Sequence, residues 1–408
     1  MKISVIGLGY IGLPTSLLLA SAGHEVIGVD IKRKVVETLN RNDLPFFEPG
    51  LPELFAKAGN NFHAREVMQP SDVFIIAVPT PVENGLNIAD LSAVKSASQA
   101  IQRVIKEGDI VILESTVPPG TSEHLILPIL QDNGVKTVYF AHCPERAIPG
   151  KTLFEMIHNN RIIGGIDRKS AEKVKQLYES FVQGEIFLTD VRTAEFVKLM
   201  ENTFRDINIA LANEFAILAE EANVDAWEAI FLANKHPRVK ILNPGPGVGG
   251  HCIAIDPMFL AEKSSKAKII PLAREINNSM PIHVMKMIEG MIPDVKNPTI
   301  TLLGLAYKGN VDDARESPTF KIKRIAENEG MVVKIYDPFI SGNAGTLEDA
   351  ARDSDCLVLV TDHDVFKQID PKTLSPRHKN LIDTRNIFDH NLWKNHGYQV
   401  KVLGDGTN

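Results

Sequence analysis

Cysteine is scarce in this 408-residue chain: only Cys143, Cys252 and Cys356 occur, and no two share a short paired spacing. That argues against a disulfide framework and points to a reducing compartment. A cationic excess is also missing. Lys and Arg total 44 against 51 Asp and Glu, a formal charge of -7, which argues against a nucleic-acid or anionic-membrane partner. An anionic small molecule stays open, because a few local cations suffice for it. No apolar run reaches the ~20 residues needed to span a bilayer. The stretch from Lys2 to Ala22 could be misread as a signal peptide. Gly7, Gly9, Gly12 and Pro14 interrupt it, however, and it leads into the strand-like "HEVIGVD". A cytoplasmic location is therefore the expectation.

What is present is ample apolar material, 44% of residues, in a chain long enough for two or three cores. "KISVIGLGYIGLPTSLLLASAGHEVIGVD" reads as strand, glycine turn, helix, strand, and buried strands follow in "DVFIIAVPT", "DIVILEST" and "TVYFAHCPE". Strands alternating with helices imply an α/β fold with a doubly wound parallel sheet. From Thr193 a long helical pattern takes over, with Phe196, Leu199, Met200, Thr203 and Ile207 on its apolar stripe. After "PDVKNP" the opening pattern partly repeats, in "TITLLGLAYKG", "MVVKIYDP", "CLVLVT" and "NLIDTR". The expected organisation is two Rossmann-like lobes, 1–192 and 296–408, joined by a helical domain at 193–295, with ligands in a crevice.

"GLGYIG" places Gly7, Gly9 and Gly12 directly after a strand and at the start of a helix. The first glycine allows a tight turn, the second lets a pyrophosphate approach the backbone, and the third lets helix and strand pack closely. Asp30 ends the next strand at the spacing where a carboxylate receives ribose hydroxyls. It would repel a 2′-phosphate, which favours NAD over NADP; nearby Lys32 and Arg33 soften that preference.

"PGPGVGGHC", residues 244–252, sets four glycines before His251 and Cys252. Cys252 reads as a nucleophile, a metal ligand with His251, or a small buried residue. Neither His251–Cys252 nor His142–Cys143 has the close second pair that zinc sites use, so no metal is expected. Lys198 and Asn202 lie four apart on one helix face, where a cation and an amide suit a developing oxyanion. Asp256, four residues after Cys252, can order a water or take a proton.

Eight motifs, "GLGYIGLP", "VPTP", "ESTVPPGT", "CPERAIPG", "AEFVKLMEN", "GPGVGGHCIAIDP", "GLAYKGNVDDARESP" and "IDTRN", occur in one order along the chain. In this it resembles the UDP-glucose/GDP-mannose dehydrogenase family over nearly its whole length. "CPERAIPG", "ENTFRDINIALANE" and "HPRVKILNPGPGVGGHC" resemble most the branch acting on UDP-N-acetylmannosamine. The resemblance implies oxidation of a primary alcohol at C6 to a carboxylate in two hydride transfers to NAD. Cys252 is then the nucleophile that carries a thiohemiacetal and a thioester. Lys198 acts near the reacting oxygen, Asn202 and Asp256 support it, and Glu145 assists hydrolysis.

Cofactor contacts implied in the same way are Tyr10 and Ile11, Asp30, Thr80 and Thr116, with Arg315 reaching from the second lobe. Candidate substrate contacts are Arg161 with Ile162, Arg205, His236, Arg238, Tyr307, Lys308 and Arg385, with Gly249 giving the sugar access beside Cys252. Arg205 in "RDINIA" suggests a polar substituent such as an N-acetyl group. Family members pair through the central helix, so a homodimer is expected, with Arg238 acting in trans. UDP-N-acetylglucosamine and UDP-glucose are the alternative sugars. A single-step β-hydroxyacid dehydrogenase and a non-catalytic nucleotide-sugar-binding regulator are the alternative functions.

Overall fold

The computed structural model describes residues 1–82, 88–132, 134–250, 252–262, 264–340 and 345–406. Two compact units emerge, one of residues 1–201 with 258–263, the other of residues 202–257 with 264–408.

The first unit holds an eight-stranded sheet of β1 (Lys2–Ile6), β2 (Glu25–Val29), β3 (Phe62–Arg65), β4 (Val73–Ile76), β5 (Ile110–Leu113), β6 (Tyr139–His142), β7 (Arg161–Gly165) and β8 (Ile186–Asp190), in the order β3-β2-β1-β4-β5-β6-β7-β8. The first six strands pair in parallel, as the alternating pattern predicts. β7 runs antiparallel to β6, and β8 runs parallel to β7, so the sheet's far edge is reversed. Nothing in the apolar pattern of "RIIGG" distinguishes strand direction, which the preceding connection decides.

The doubly wound character follows from the two-residue side-chain period of a strand. Val73, Ile75, Ile110 and Ile112 enter one core with Ile3, Leu13 and Leu17. Phe74, Ile76, Val111 and Leu113 enter another with Val94, Ile101 and Leu130. A sheet buried on both faces needs such unbroken apolar strands, and it exposes only the strand ends for chemistry.

The second unit repeats the principle with five parallel strands, β9 (Thr299–Leu303), β10 (Val332–Tyr336), β11 (Cys356–Leu359), β12 (Asn380–Asp383) and β13 (Gln399–Val402), ordered β10-β9-β11-β12-β13. Ile300, Leu302 and Val358 pack with Met280, Val284 and Ile288 of the helix Ile269–Met291. Leu357, Leu359 and Leu381 pack on the other side with Phe366 and Trp393. A 32-residue helix, Val191–Ala222, carries the "AEFVKLMENTF" stretch. Among the described residues, no helix is long and apolar enough to cross a membrane.

Candidate active site

In the first unit, β1 leads directly into Gly7, whose N–H donates to the Val29 carbonyl at 2.8 Å with φ at +92°. A Cβ at Gly7 would lie 2.6 Å from the Ala77 carbonyl oxygen, and one at Gly12 would lie 1.8 Å from that of Gly7. Backbone packing therefore demands both glycines. Gly9 differs: among the described residues, a Cβ there meets nothing within 4 Å. The protein leaves that space open, as a pyrophosphate against the N-terminus of helix Gly12–Ser21 requires.

The Asp30 carboxylate is fixed from two sides, accepting the N–H of Leu8 at 2.9 Å and of Lys32 at 2.8 Å. Tyr10 and Ile11 are half-buried on the same turn, with the Tyr10 ring 4.3 Å from that of Phe46. Beyond β4 and β5, the Thr80 hydroxyl donates to the Thr116 carbonyl at 2.8 Å, tying two strand-end loops together. The glycine turn, the fixed carboxylate and these strand ends fit a dinucleotide.

A buried charge network stands at the ends of β5 and β6. Arg161, the first residue of β7, donates to the Glu145 carboxylate at 2.8 Å, lies 3.7 Å from Glu114 and donates to the Cys143 sulfur at 3.6 Å. Its guanidinium also covers the Tyr178 ring at 4.6 Å. Glu145 accepts the N–H groups of Arg146 and Ala147 at 2.6 and 2.9 Å. Burial raises its carboxyl, but the Arg161 charge and these bonds bring it below the ordinary range. Glu114 accepts from Thr15 and from Tyr178, at 3.0 and 2.5 Å, and burial, against the pull of Arg161, pushes it up to about 7.

Arg161 is thus committed to two carboxylates inside the first unit and is only 4% exposed. A surface cation for the substrate diphosphate is not what this geometry offers; it offers a cation that sets the Glu145 carboxylate. Ile162 follows it on β7, half-buried. His142, the last residue of β6, is fully buried, and burial lowers it to about 3 against a contact with the Leu113 backbone. Lys198, half-buried on the long helix, is among the charges acting on it.

In the second unit, Cys252 opens the helix Cys252–Ala261, where the positive end of the helix dipole favours an anion. It is exposed, whereas Cys143 and Cys356 are buried. Burial pushes the Cys143 thiol up to about 12 and raises that of Cys356 further. Asp256 lies one turn after Cys252 and accepts from the Asn202 side-chain amide at 2.6 Å, both residues being buried. Asn202 and Asp256 are thus joined directly, with Cys252 one helical turn before Asp256. His251 lies outside the described residues.

The glycine loop is anchored at both ends. The Gly245 N–H donates to the Asn213 side chain at 2.8 Å, and the Gly250 N–H donates to the Arg315 carbonyl at 2.9 Å. Asn213 is itself held by Asn277, which binds Asp206, the buried partner of Arg274. A Cβ at Gly249 would lie 2.7 Å from the Glu316 carbonyl oxygen and 2.8 Å from the Tyr307 Cβ; one at Gly250 would strike the Tyr307 ring. The protein's own Tyr307 and Glu316, rather than a sugar, account for the missing side chain at Gly249. Likewise the Arg385 guanidinium occupies the space beside Gly245, and its Nε donates to the Val360 carbonyl at 3.0 Å.

Burial, the Asp313 charge and that of Cys252 push the Tyr307 phenol up to about 12, so it remains a hydrogen-bond donor. Arg315 makes a two-pronged contact with Asp313, its Nε 2.9 Å and its NH2 2.6 Å from the two carboxylate oxygens. Arg205 is exposed on the long helix and contributes to the field at Tyr307. Lys308 is half-buried next to Tyr307. His236 and Arg238 sit in the exposed turn after helix Ala226–Ala233, joined by the Arg238 N–H to the His236 ring at 3.3 Å. Sequence reasoning did not single out Glu114 or the Asp206–Arg274 pair, although Glu114 stands inside "ESTVPPGT"; His142 enters that reasoning only as half of a metal-binding dipeptide.

Comparison with known proteins matches all three parts of one family. The UDP-glucose/GDP-mannose dehydrogenase NAD binding domain matches residues 1–182, the central domain 192–279 and the UDP binding domain 301–390. A UDP-N-acetyl-D-mannosamine dehydrogenase of Methanococcus maripaludis is 49% identical, covering 100% of this chain and 97% of the relative. An NDP-N-acetyl-D-galactosaminuronic acid dehydrogenase of Ralstonia nicotianae is 42% identical over 95% of this chain and 96% of its own. The solved structure of the UDP-D-ManNAc dehydrogenase from Pyrococcus horikoshii superposes with a TM-score of 0.96 at 41% identity, covering 100% of both chains. With its glycine turn, its fixed Asp30 and its exposed Cys252 in the corresponding parts, the chain belongs to the UDP-glucose/GDP-mannose dehydrogenase family and is an NAD-dependent nucleotide-sugar oxidoreductase.

Proposed function

We propose that the chain oxidises C6 of UDP-N-acetyl-D-mannosamine to the carboxylate of UDP-N-acetyl-D-mannosaminuronate, in two oxidations of which the second runs through a Cys252 adduct. The observation that carries the chemistry is the exposed Cys252 at a helix start, one turn before an Asp256 that Asn202 holds. NAD, when bound, accepts a hydride from C6 in each oxidation. The glycine turn, Asp30, Thr80 and Thr116 hold it, with Arg315 as a further contact.

In the first oxidation the C6 alcohol loses a hydride and a proton and becomes an aldehyde. The Cys252 sulfur then bonds to C6, and the oxygen takes up a proton, giving a thiohemiacetal that again carries a removable hydrogen. Loss of that hydrogen as hydride, with the hydroxyl proton, leaves a thioester. Water adds to it, the C–S bond breaks and the thiol is restored. Lys198 and Asn202 stabilise the oxygen at C6 through these steps. Asp256 orders the water and takes its proton. Glu145, held anionic by Arg161, orients that water rather than acting as a strong base.

Three functional parts, 1–192, 193–295 and 296–408, divide this work into cofactor binding, catalysis with pairing, and binding of the UDP. Tyr307, Lys308, Arg205 and Arg385 serve the nucleotide and its diphosphate. The same reading pairs two chains through the central helix, with Arg238 and His236 contributing to the partner's site, in the cytoplasm. Phe204, Leu211, Phe215 and Leu218 support the pairing, since they form an exposed apolar stripe on one helix face.

The sugar is supported by the names of relatives 43% to 49% identical to this chain, which are UDP-N-acetyl-D-mannosamine dehydrogenases. The test is NADH formed per sugar consumed with UDP-ManNAc, UDP-GlcNAc and UDP-glucose. Two NADH per UDP-ManNAc, with the other sugars turned over poorly, is expected. A yield near one with every competent sugar overturns the cysteine route, and turnover of UDP-glucose alone overturns the substrate.

A further inference from the structure

The turn after β9 carries Tyr307 and Lys308, and it is fastened to a neighbouring strand end by a histidine outside every motif considered above. Asp337, directly after β10, accepts the N–H groups of Leu305 and Ala306 at 2.6 and 2.8 Å on one carboxylate oxygen. Its other oxygen accepts those of Phe339 and Ile340 at 2.8 and 3.1 Å. His363 Nε2 lies 3.0 Å from the first oxygen, and the Asn310 N–H points at His363 Nδ1 at 2.9 Å.

A backbone N–H only donates, so Nδ1 must be the acceptor, and Nε2 carries the proton given to Asp337. One neutral imidazole therefore bridges the strand-end carboxylate and the residue two positions after Lys308. The ring cannot easily turn away: it is fully buried between Phe339, stacked at 4.9 Å, and Phe366, edge-on at 5.3 Å.

Asn310 needs such a hold. Its φ is +61°, in the left-handed region, where a non-glycine residue persists only if its surroundings fix it. Its side chain exchanges hydrogen bonds with Asp364, and Thr361 donates to the Ala306 carbonyl at 2.6 Å. Gly309 lies so close that a Cβ would sit 2.4 Å from the Asp362 carbonyl oxygen. The segment 361–364 thus grips the turn on both sides of Lys308, and His363 is the member whose bond reaches the strand.

We infer that His363 is a positioning residue for UDP binding, holding the Tyr307–Asn310 turn to the end of β10 so that Lys308 is presented to the diphosphate. The inference rests on the reading above that Lys308 meets that diphosphate. The ligand for its test is UDP alone, which every candidate sugar nucleotide shares.

Two substitutions separate the two bonds. His363→Asn keeps an acceptor where Nδ1 stands but loses the donor to Asp337, whereas His363→Gln keeps a donor near Nε2 and removes the acceptor of the Asn310 N–H. Because either substitution breaks the bridge, UDP affinity measured by calorimetry should fall ~10-fold in both His363→Gln and His363→Asn, as expected for one lost bond to a part-buried partner. The KM for the sugar nucleotide should follow, while kcat and NAD affinity stay within ~2-fold, because the bond acts on ground-state binding. In a Lys308→Ala background, His363→Gln should have no further effect on UDP.

If neither His363 variant weakens UDP, or if only one of them does, the inference fails. It also fails if the His363→Gln effect adds in full to that of Lys308→Ala. If Lys308→Ala alone leaves UDP binding intact, the assignment of Lys308 fails, a separate result.

Discussion

Replacing Glu114 by Gln should stabilise the protein at alkaline pH and leave it unchanged at acidic pH. Glu114 is fully buried at the end of β5, and burial carries its carboxyl up to about 7 despite Arg161 beside it. An unfolded glutamate titrates near 4.3. Between these values the folded chain holds a proton that the unfolded chain has released, so stability falls as pH rises through the window. The raised value makes ionisation cost about 3 kcal/mol above pH 7.

Glutamine cannot ionise, yet its carbonyl still accepts from the Tyr178 hydroxyl, and Thr15 can turn its hydroxyl to accept from the amide. Arg161 keeps Glu145 as its partner. Glu145, whose carboxyl lies below the ordinary range, contributes the opposite slope: its stabilisation is full above the unfolded value and is lost as pH falls below it. That window does not overlap pH 5–8. Urea unfolding at pH 5, 6, 7 and 8 should show parent and variant together at pH 5 and the variant ahead by about 2–3 kcal/mol at pH 8. A difference that is constant with pH, or a variant weaker at pH 8, refutes the reasoning.

The two outer glycines of the turn should separate from the middle one. Gly12→Ala places a Cβ against the Gly7 carbonyl and should lower thermal stability or prevent folding, whereas Gly9→Val should fold normally and weaken NAD binding more than ~10-fold, read by fluorescence titration. Asn202→Leu leaves the buried Asp256 carboxylate without its amide donor. It should cost about 1–3 kcal/mol in unfolding and lower kcat more than KM. Phe204→Asp with Leu211→Asp should give a monomer by sedimentation if the exposed stripe joins two chains, and an unchanged sedimentation coefficient would remove that interface.

Elements whose geometry follows from local periodicity were readable in the chain itself. The strand–glycine–helix opening and Asp30 stand where the spacing puts them, because a βαβ unit is closed by contacts within ~30 residues. Asp256 and Cys252 are separated by one helical turn, so their juxtaposition was also legible. The reversal of β7 and β8 was not, since apolar residues in a buried strand carry no sign of direction.

Residues that act through distant partners were the hardest to read. Arg161 has the residue type of a substrate cation, but Glu114 and Glu145, 47 and 16 positions earlier, claim it inside the core. Gly249 reads as room for a ligand, and only the fold brings Tyr307 and Glu316 into that room. His363 is silent in sequence because both its partners, the Asn310 backbone and Asp337, lie more than 25 residues away.

The uneven placement of the three thiols has a practical side. Cys143 and Cys356 are sealed in the two cores, and only Cys252 is open to reagents. A soft alkylating agent such as iodoacetamide should therefore modify one site per chain in the folded protein. On the cysteine route proposed above, the mass increase should count active centres, and protection by bound sugar nucleotide should report their occupancy without any turnover. On that same route, peroxide that oxidises the Cys252 sulfur should abolish turnover while the two buried thiols stay reduced.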